Sequence, residues 1–214
     1  MISKLQLKAF YETHKDEYYQ RRNSGDKSQW DEAYKWEIFP KLNEELGAYK
    51  DIDIEATLEI IKKLQRSNPT SGPLTHWTEL DKFTKMSQAK PGIAYRLMKL
   101  ILASSIDTVD EDIESADMVA STFFDKKFGP ATYGYILSAL DCDSFAPFHS
   151  NLLKGLIELG VADESKIKGE KYKTVNDSAL YLGELMQADK LTTGFEQRAL
   201  NGQDFMWVAW SGGI

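Results

Sequence analysis

Apolar residues recur along this chain at spacings of three and four and nowhere alternate with period two for long, which commits the fold to packed helices rather than a sheet. Trp77, Leu80, Phe83 and Met86 follow one another at spacing three, and Ile93, Leu97, Leu100 and Ile101 form a second stripe just beyond Pro91. Residues 2–22 carry Ile2, Leu5, Leu7, Phe10, Tyr11, Tyr18 and Tyr19, and the pattern stops at Asn23-Ser24-Gly25-Asp26, a run of turn formers. It resumes over residues 30–46 and ends at Gly47, with Pro40 either kinking one helix or dividing two. Between Ile54 and Leu64 acidic residues come early and basic ones late, as a helix dipole favours, and residues 67–73 then break the segment. Residues 107–117 read as an acidic loop entering a helix through Met118, Val119 and Phe123. Gly129-Pro130 opens another helix, residues 152–159 form a short one and residues 175–186 a longer one. Residues 205–210 are an apolar tail, readable as a last helical turn or a short strand.

The expectation is an all-α, irregular multi-helix fold of about nine to eleven helices with at most a short strand near the C-terminus. Trp36, Trp77, Leu97, Ile136, Leu137 and Leu156 are expected in its core. The break before residue 74 suggests an N-terminal subdomain over 1–73 and a C-terminal one over 74–210, with 211–214 as a linker.

With 214 residues and 42% hydrophobic ones, a chain like this buries a substantial core. No stretch approaches the roughly 18 apolar residues that span a membrane, and charges run through the first twenty residues, so a cytoplasmic protein without membrane association is expected. Cys142 stands alone, and His14, His76 and His149 show no metal-ligand spacing with it, so neither a metal nor another cofactor is expected. Gly169-Glu170-Lys171 lacks the upstream glycine and the hydroxyl residue of a phosphate-binding loop, and there is no nucleophile elbow. This chain is therefore expected not to be an enzyme. Residues 1–100 carry 17 Lys and Arg against 15 Asp and Glu, and residues 101–214 carry 9 against 18, giving +2 and -9. That balance weighs against a broadly basic nucleic-acid face while permitting a local patch.

Three places carry candidate binding chemistry. Lys126 and Lys127 precede the turn Phe128-Gly129-Pro130 that feeds a helix through Thr132 and Tyr133, so positive charge and free backbone N–H groups would meet there, the ingredients of a phosphate site. The plainer reading is a helix start, with Gly134 permitting close helix packing. His149 follows the rigid step Pro147-Phe148 and either reads a base or phosphate or caps the next helix. Aromatics gather in the first half beside Arg21 and Arg22, and Trp36, His76 and Trp77 there either line a pocket for a base or belong to the core.

Residues 14–22, Tyr34-Lys35-Trp36-Glu37-Ile38, His76-Trp77-Thr78-Glu79-Leu80 and Gly202-Gln203-Asp204-Phe205-Met206-Trp207 together resemble the helical N-terminal region found ahead of AAA+ motor domains of the McrB type. The resemblance implies a non-catalytic region that senses DNA, often with modified bases. The full-length protein would then be a GTP-hydrolysing AAA+ NTPase of restriction and phage defence, with a nuclease subunit recruited through a motor that these residues do not contain. A second likeness, over residues 128–149, is to helix-hairpin-helix DNA glycosylases. There an aspartate after the Pro-aromatic step is catalytic; His149 stands in its place and the hairpin helix has no lysine nucleophile, which implies reading a base rather than excising it. The competing expectation is a protein-interaction or phage-component-recognition domain that does not bind nucleic acid.

Overall fold

Ten α-helices and no strand occupy the described residues of the computed structural model, which are 2–26, 30, 32–47, 52–69, 74–167, 169–190 and 197–211. In chain order they are α1 (Lys4–Asn23), α2 (Tyr34–Leu46), α3 (Ile54–Ser67), α4 (Trp77–Ala89), α5 (Pro91–Leu102), α6 (Val109–Phe124), α7 (Gly129–Leu140), α8 (Ser150–Glu158), α9 (Lys171–Ala188) and α10 (Arg198–Ser211). The all-α reading holds. None of these helices is long and apolar enough to cross a membrane.

Local chemistry explains most of the boundaries. Asp53 caps α3 by accepting the Ala56 N–H at 2.8 Å, and Pro91 supplies the first position of α5, where its missing N–H costs nothing. Pro40 lies inside α2, so that segment is one helix rather than two. The acidic stretch expected to be a loop instead begins a helix: Asp110, Glu111 and Asp112 fill the first turn of α6, where the dipole favours negative charge. Thr108 donates its hydroxyl to Asp112 at 2.7 Å. Asp125, left-handed at φ 52°, stops α6.

The apolar tail at residues 205–210 belongs to α10, so the strand alternative is replaced by a 14-residue helix. Residues 199–206 are all buried, and a helix covered on every side shows no polar face for periodicity to reveal. α10 lies most intimately on α9 and also touches α1 and α8. Glycines make the α9–α10 approach possible. A Cβ on Gly202 would overlap the Ala179 carbonyl oxygen, and one on Gly183 would overlap the Arg198 carbonyl oxygen. In α7 every residue from 132 to 139 is buried, and α2, α5, α6 and α9 pack around it. Gly134 lets Tyr172 of α9 come close: a Cβ there would stand 2.6 Å from the Tyr172 ring.

One cluster of buried side chains runs from Leu7 to Ala209. The suggested boundary after residue 73 and most of the suggested linker, residues 212–214, lie outside the described residues. Trp36, Leu97, Ile136, Leu137 and Leu156 are buried as expected, but Trp77 is 63% exposed. Trp77 lies only about 20° around the helix from the buried Thr84, so its exposure goes with its place as the first residue of α4, a turn ahead of the stripe through Leu80, Phe83, Thr84 and Ser87.

Candidate functional site

The turn between α6 and α7 is filled from within. Asp117 Oδ1 accepts the Phe128 N–H at 2.8 Å and the Gly129 N–H at 3.1 Å, so a carboxylate of this chain occupies the place expected for a phosphate. Lys126 pairs with Glu79 at 2.7 Å, and that hydrogen bond holds the Glu79 carboxyl below its ordinary pKa. Phe128, Thr132 and Tyr133 are buried, which corrects their expected place on a binding surface; Lys127 is exposed. Burial, and then the Asp117 charge, push the Tyr133 hydroxyl well above an ordinary phenol. The turn is built as a helix start, Gly129 adopting φ 68° that other residues resist.

The first-half aromatics do not form one pocket. Trp77 and His76 begin α4 beside an open groove edged by Gln65, Asn68 and Leu80, and His76 Nδ1 meets the Thr78 hydroxyl at 2.6 Å. Trp36 lies elsewhere, its ring 5.4 Å from that of Trp30 and 4.6 Å from the Arg22 guanidinium. Arg22 is buried, donating to the Tyr18 hydroxyl and to Asn201 Oδ1, each at 3.0 Å. Arg21 remains at the surface and pairs with Glu17 at 2.7 Å.

The structure brings together instead a set of polar residues from the first and last segments. Lys35 of α2 donates to Gln203 Oε1 at 3.0 Å and Asp204 Oδ1 at 3.3 Å, both on α10, and pairs with Glu32. Asp204, fully buried, also accepts the Tyr18 hydroxyl at 2.7 Å and the Trp30 indole N–H at 3.0 Å. Burial and the Asp204 charge raise the Tyr18 hydroxyl well above its usual pKa, so it stays a donor. Such a network is stable only when its members satisfy one another, and this one joins α1, α2 and α10.

Above the network opens a cleft of about 260 Å³. The buried Glu32, Lys35, Gln203, Pro147 and Phe148 make its floor, and the more exposed Tyr34, Leu74, His149 and Trp207 make its rim. His149 caps α8, its Nδ1 accepting the Asn151 N–H at 3.1 Å, and its ring stands edge-on to Trp207 with centroids 4.8 Å apart. Partial burial, and then the charge of Lys35, hold its pKa below the ordinary 6.5. A ring that is harder to protonate folded than unfolded contributes stability that is complete above about pH 6.5 and falls as pH drops below it. Protonation also removes the Nδ1 lone pair that caps α8. His149→Asn keeps a capping acceptor. Between about pH 7 and about pH 5 it is expected to lose less melting temperature than the parent. Parallel melting profiles for the two proteins would remove His149 as the titrating group.

Of the expected candidates, only His149 lines the cleft. Lys35, Gln203, Asp204 and Trp207 are not among the expected candidates, and the nearest sequence signal is Asp204, a carboxylate directly before the apolar run of residues 205–210. Burial pushes the Cys142 thiol up to about 12, and its Sγ donates to Asn43 Oδ1, so little thiolate forms at neutral pH. No family model, no curated protein and no solved structure matches the chain.

Proposed function

We propose that this chain is a non-catalytic DNA-sensing module that receives an extruded base in the cleft at His149, the role implied by its resemblance to the region ahead of McrB-type motors. The supporting observation is the cleft itself, where the aromatic Phe148, Tyr34 and Trp207 line the same space as the polar Lys35, Glu32 and Gln203. Base extrusion costs a few kcal/mol, and stacking on an aromatic ring returns about 1–3 kcal/mol per base, so a lining ring such as Trp207 decides whether extrusion is favourable. The filled α6–α7 turn moves the reading away from Lys126 and toward this cleft. Phosphates would then be met by exposed cations such as Lys127, in a limited contact.

The measurement is fluorescence anisotropy of plain and base-modified duplexes at several salt concentrations. Trp207→Ala is expected to weaken binding about 5- to 100-fold. His149→Ala is expected to narrow the difference between modified and plain DNA, and Lys127→Ala to lower affinity about equally for all duplexes. A second reading, a domain that recognises another protein, is favoured by the exposed Trp77, Met118 and Leu5 and by the acidic second half. No salt-dependent DNA binding by the folded protein at low salt would decide for that second reading.

A further inference from the structure

The donors left uncommitted in the cleft define its ligand more narrowly than the cleft's shape does. His149 Nδ1 accepts a backbone N–H, so in the neutral ring the proton sits on Nε2. That N–H has no partner among the described residues. Gln203 is buried, its oxygen is taken by Lys35, and its amide NH2 likewise has no partner among the described residues. By contrast, the three N–H bonds of Lys35 are matched by three acceptors, Glu32, Gln203 and Asp204. Two cleft-lining residues therefore keep a neutral donor uncommitted, while the lysine that lines the same cleft is fully engaged.

The charge of the floor adds a second constraint. The charged groups that line the cleft, the Lys35 ammonium and the Glu32 carboxylate, offset one another and the ammonium is already engaged, so an anion entering this partly desolvated setting would give up its hydration without gaining a free cation. Asp204 and Arg22, of opposite charge, both lie outside the cleft lining. Trp207 and Phe148 supply aromatic rings suited to a flat ligand. The volume, about 260 Å³, falls below the roughly 300–1,000 Å³ of sites for drug-sized ligands and suits one ring system.

We infer that the cleft takes an uncharged planar heterocycle that presents a carbonyl oxygen to His149 and Gln203, and that it rejects the same ring bearing an anion. This rests on reading the cleft as the base-receiving site, and it names the class of base: one with a ring carbonyl, such as a pyrimidine or an oxopurine, in preference to adenine. The phosphate of an attached nucleotide stays outside.

The test uses the 214-residue chain and three free probes, uracil, adenine and orotate, the last being uracil with a carboxylate. Binding is followed by the Trp207 indole resonance and by the melting temperature. Uracil is expected to bind saturably with a midpoint of about 1 mM or below, and adenine and orotate at least about tenfold more weakly. Gln203→Glu keeps an acceptor for Lys35 but removes the amide donor. It is expected to remain folded and to lose uracil binding, while Gly92→Ala, far from the cleft in sequence and with open space around it, binds as the parent does. Orotate binding as tightly as uracil would overturn the charge argument, and adenine matching uracil would overturn the carbonyl requirement. No uracil binding, together with DNA binding that Gln203→Glu leaves unchanged, would overturn this inference and leave DNA sensing standing. Uracil binding without any DNA binding would sustain the inference and reject DNA sensing.

Discussion

Gly202→Ala is expected to lower the melting temperature by about 6–12 °C or more, the consequence of about 3 kcal/mol or more of destabilisation in a chain of this length. The added methyl has no space. It would overlap the Ala179 carbonyl oxygen, which is backbone of α9 and cannot rotate away as a side chain can. Nor can α10 recede alone, because Ala199, Leu200, Phe205 and Met206 are buried around the same crossing. Separating the two helices would open gaps along α9, α1 and α8 together, adding cavity costs to the overlap. Gly183→Ala meets the Arg198 carbonyl oxygen and is expected to behave alike. Gly92→Ala is the control, since a Cβ there meets nothing within 4 Å and alanine is the better helix former. Circular dichroism melts of the three variants measure this. A Gly202→Ala protein melting with the parent would show that α9 and α10 do not approach so closely.

How much of this was legible in the sequence depended on whether a residue's partner was near in the chain or revealed by a face. α3 and α5 show a polar face opposite an apolar one, so their stripes announced them. α10 has no such contrast, because it is buried nearly all round, and it read as a tail. The acidic start of α6 reads as a loop by charge density alone, whereas the helix dipole makes three carboxylates favourable in a first turn. The α6–α7 turn had a local clue: Asp117 lies eleven residues before Phe128, close enough to supply the anion that the turn was expected to take from a ligand. The cleft offered no local clue. Lys35 meets Gln203 and Asp204 across 168 and 169 residues, and only the packing of α10 against the first helices brings them together. Residues 34–38 and 202–207 both carry the family likeness, but nothing in either segment alone says that one supplies the ammonium and the other two of its acceptors.

Asp204→Ala is expected to cost about 2–6 kcal/mol, about 1–3 kcal/mol for each of two aromatic donors left without an acceptor. Three donors lose an acceptor at once: the Lys35 ammonium, the Tyr18 hydroxyl and the Trp30 indole N–H. Glu32 still accompanies Lys35, so the ammonium is not left alone, and the loss falls most heavily on the two aromatic donors. Since Lys35 and Gln203 form the cleft floor, loss of their anchor is expected to weaken binding there as well as stability. Separating the two effects takes a triple variant. Asp204→Leu with Lys35→Met and Glu32→Gln removes the ammonium together with both carboxylates that accompany it and is expected to recover part of the stability, because buried ion pairs return little beyond their desolvation cost. It is expected not to recover ligand binding, because Gln203 then loses the partner that orients its amide. Melting temperature and uracil titration on the same samples read the two quantities independently. A triple variant that regains both would show that the network supports the fold but takes no part in the cleft, whereas an Asp204→Ala protein as stable as the parent would show that the network is not closed around Asp204.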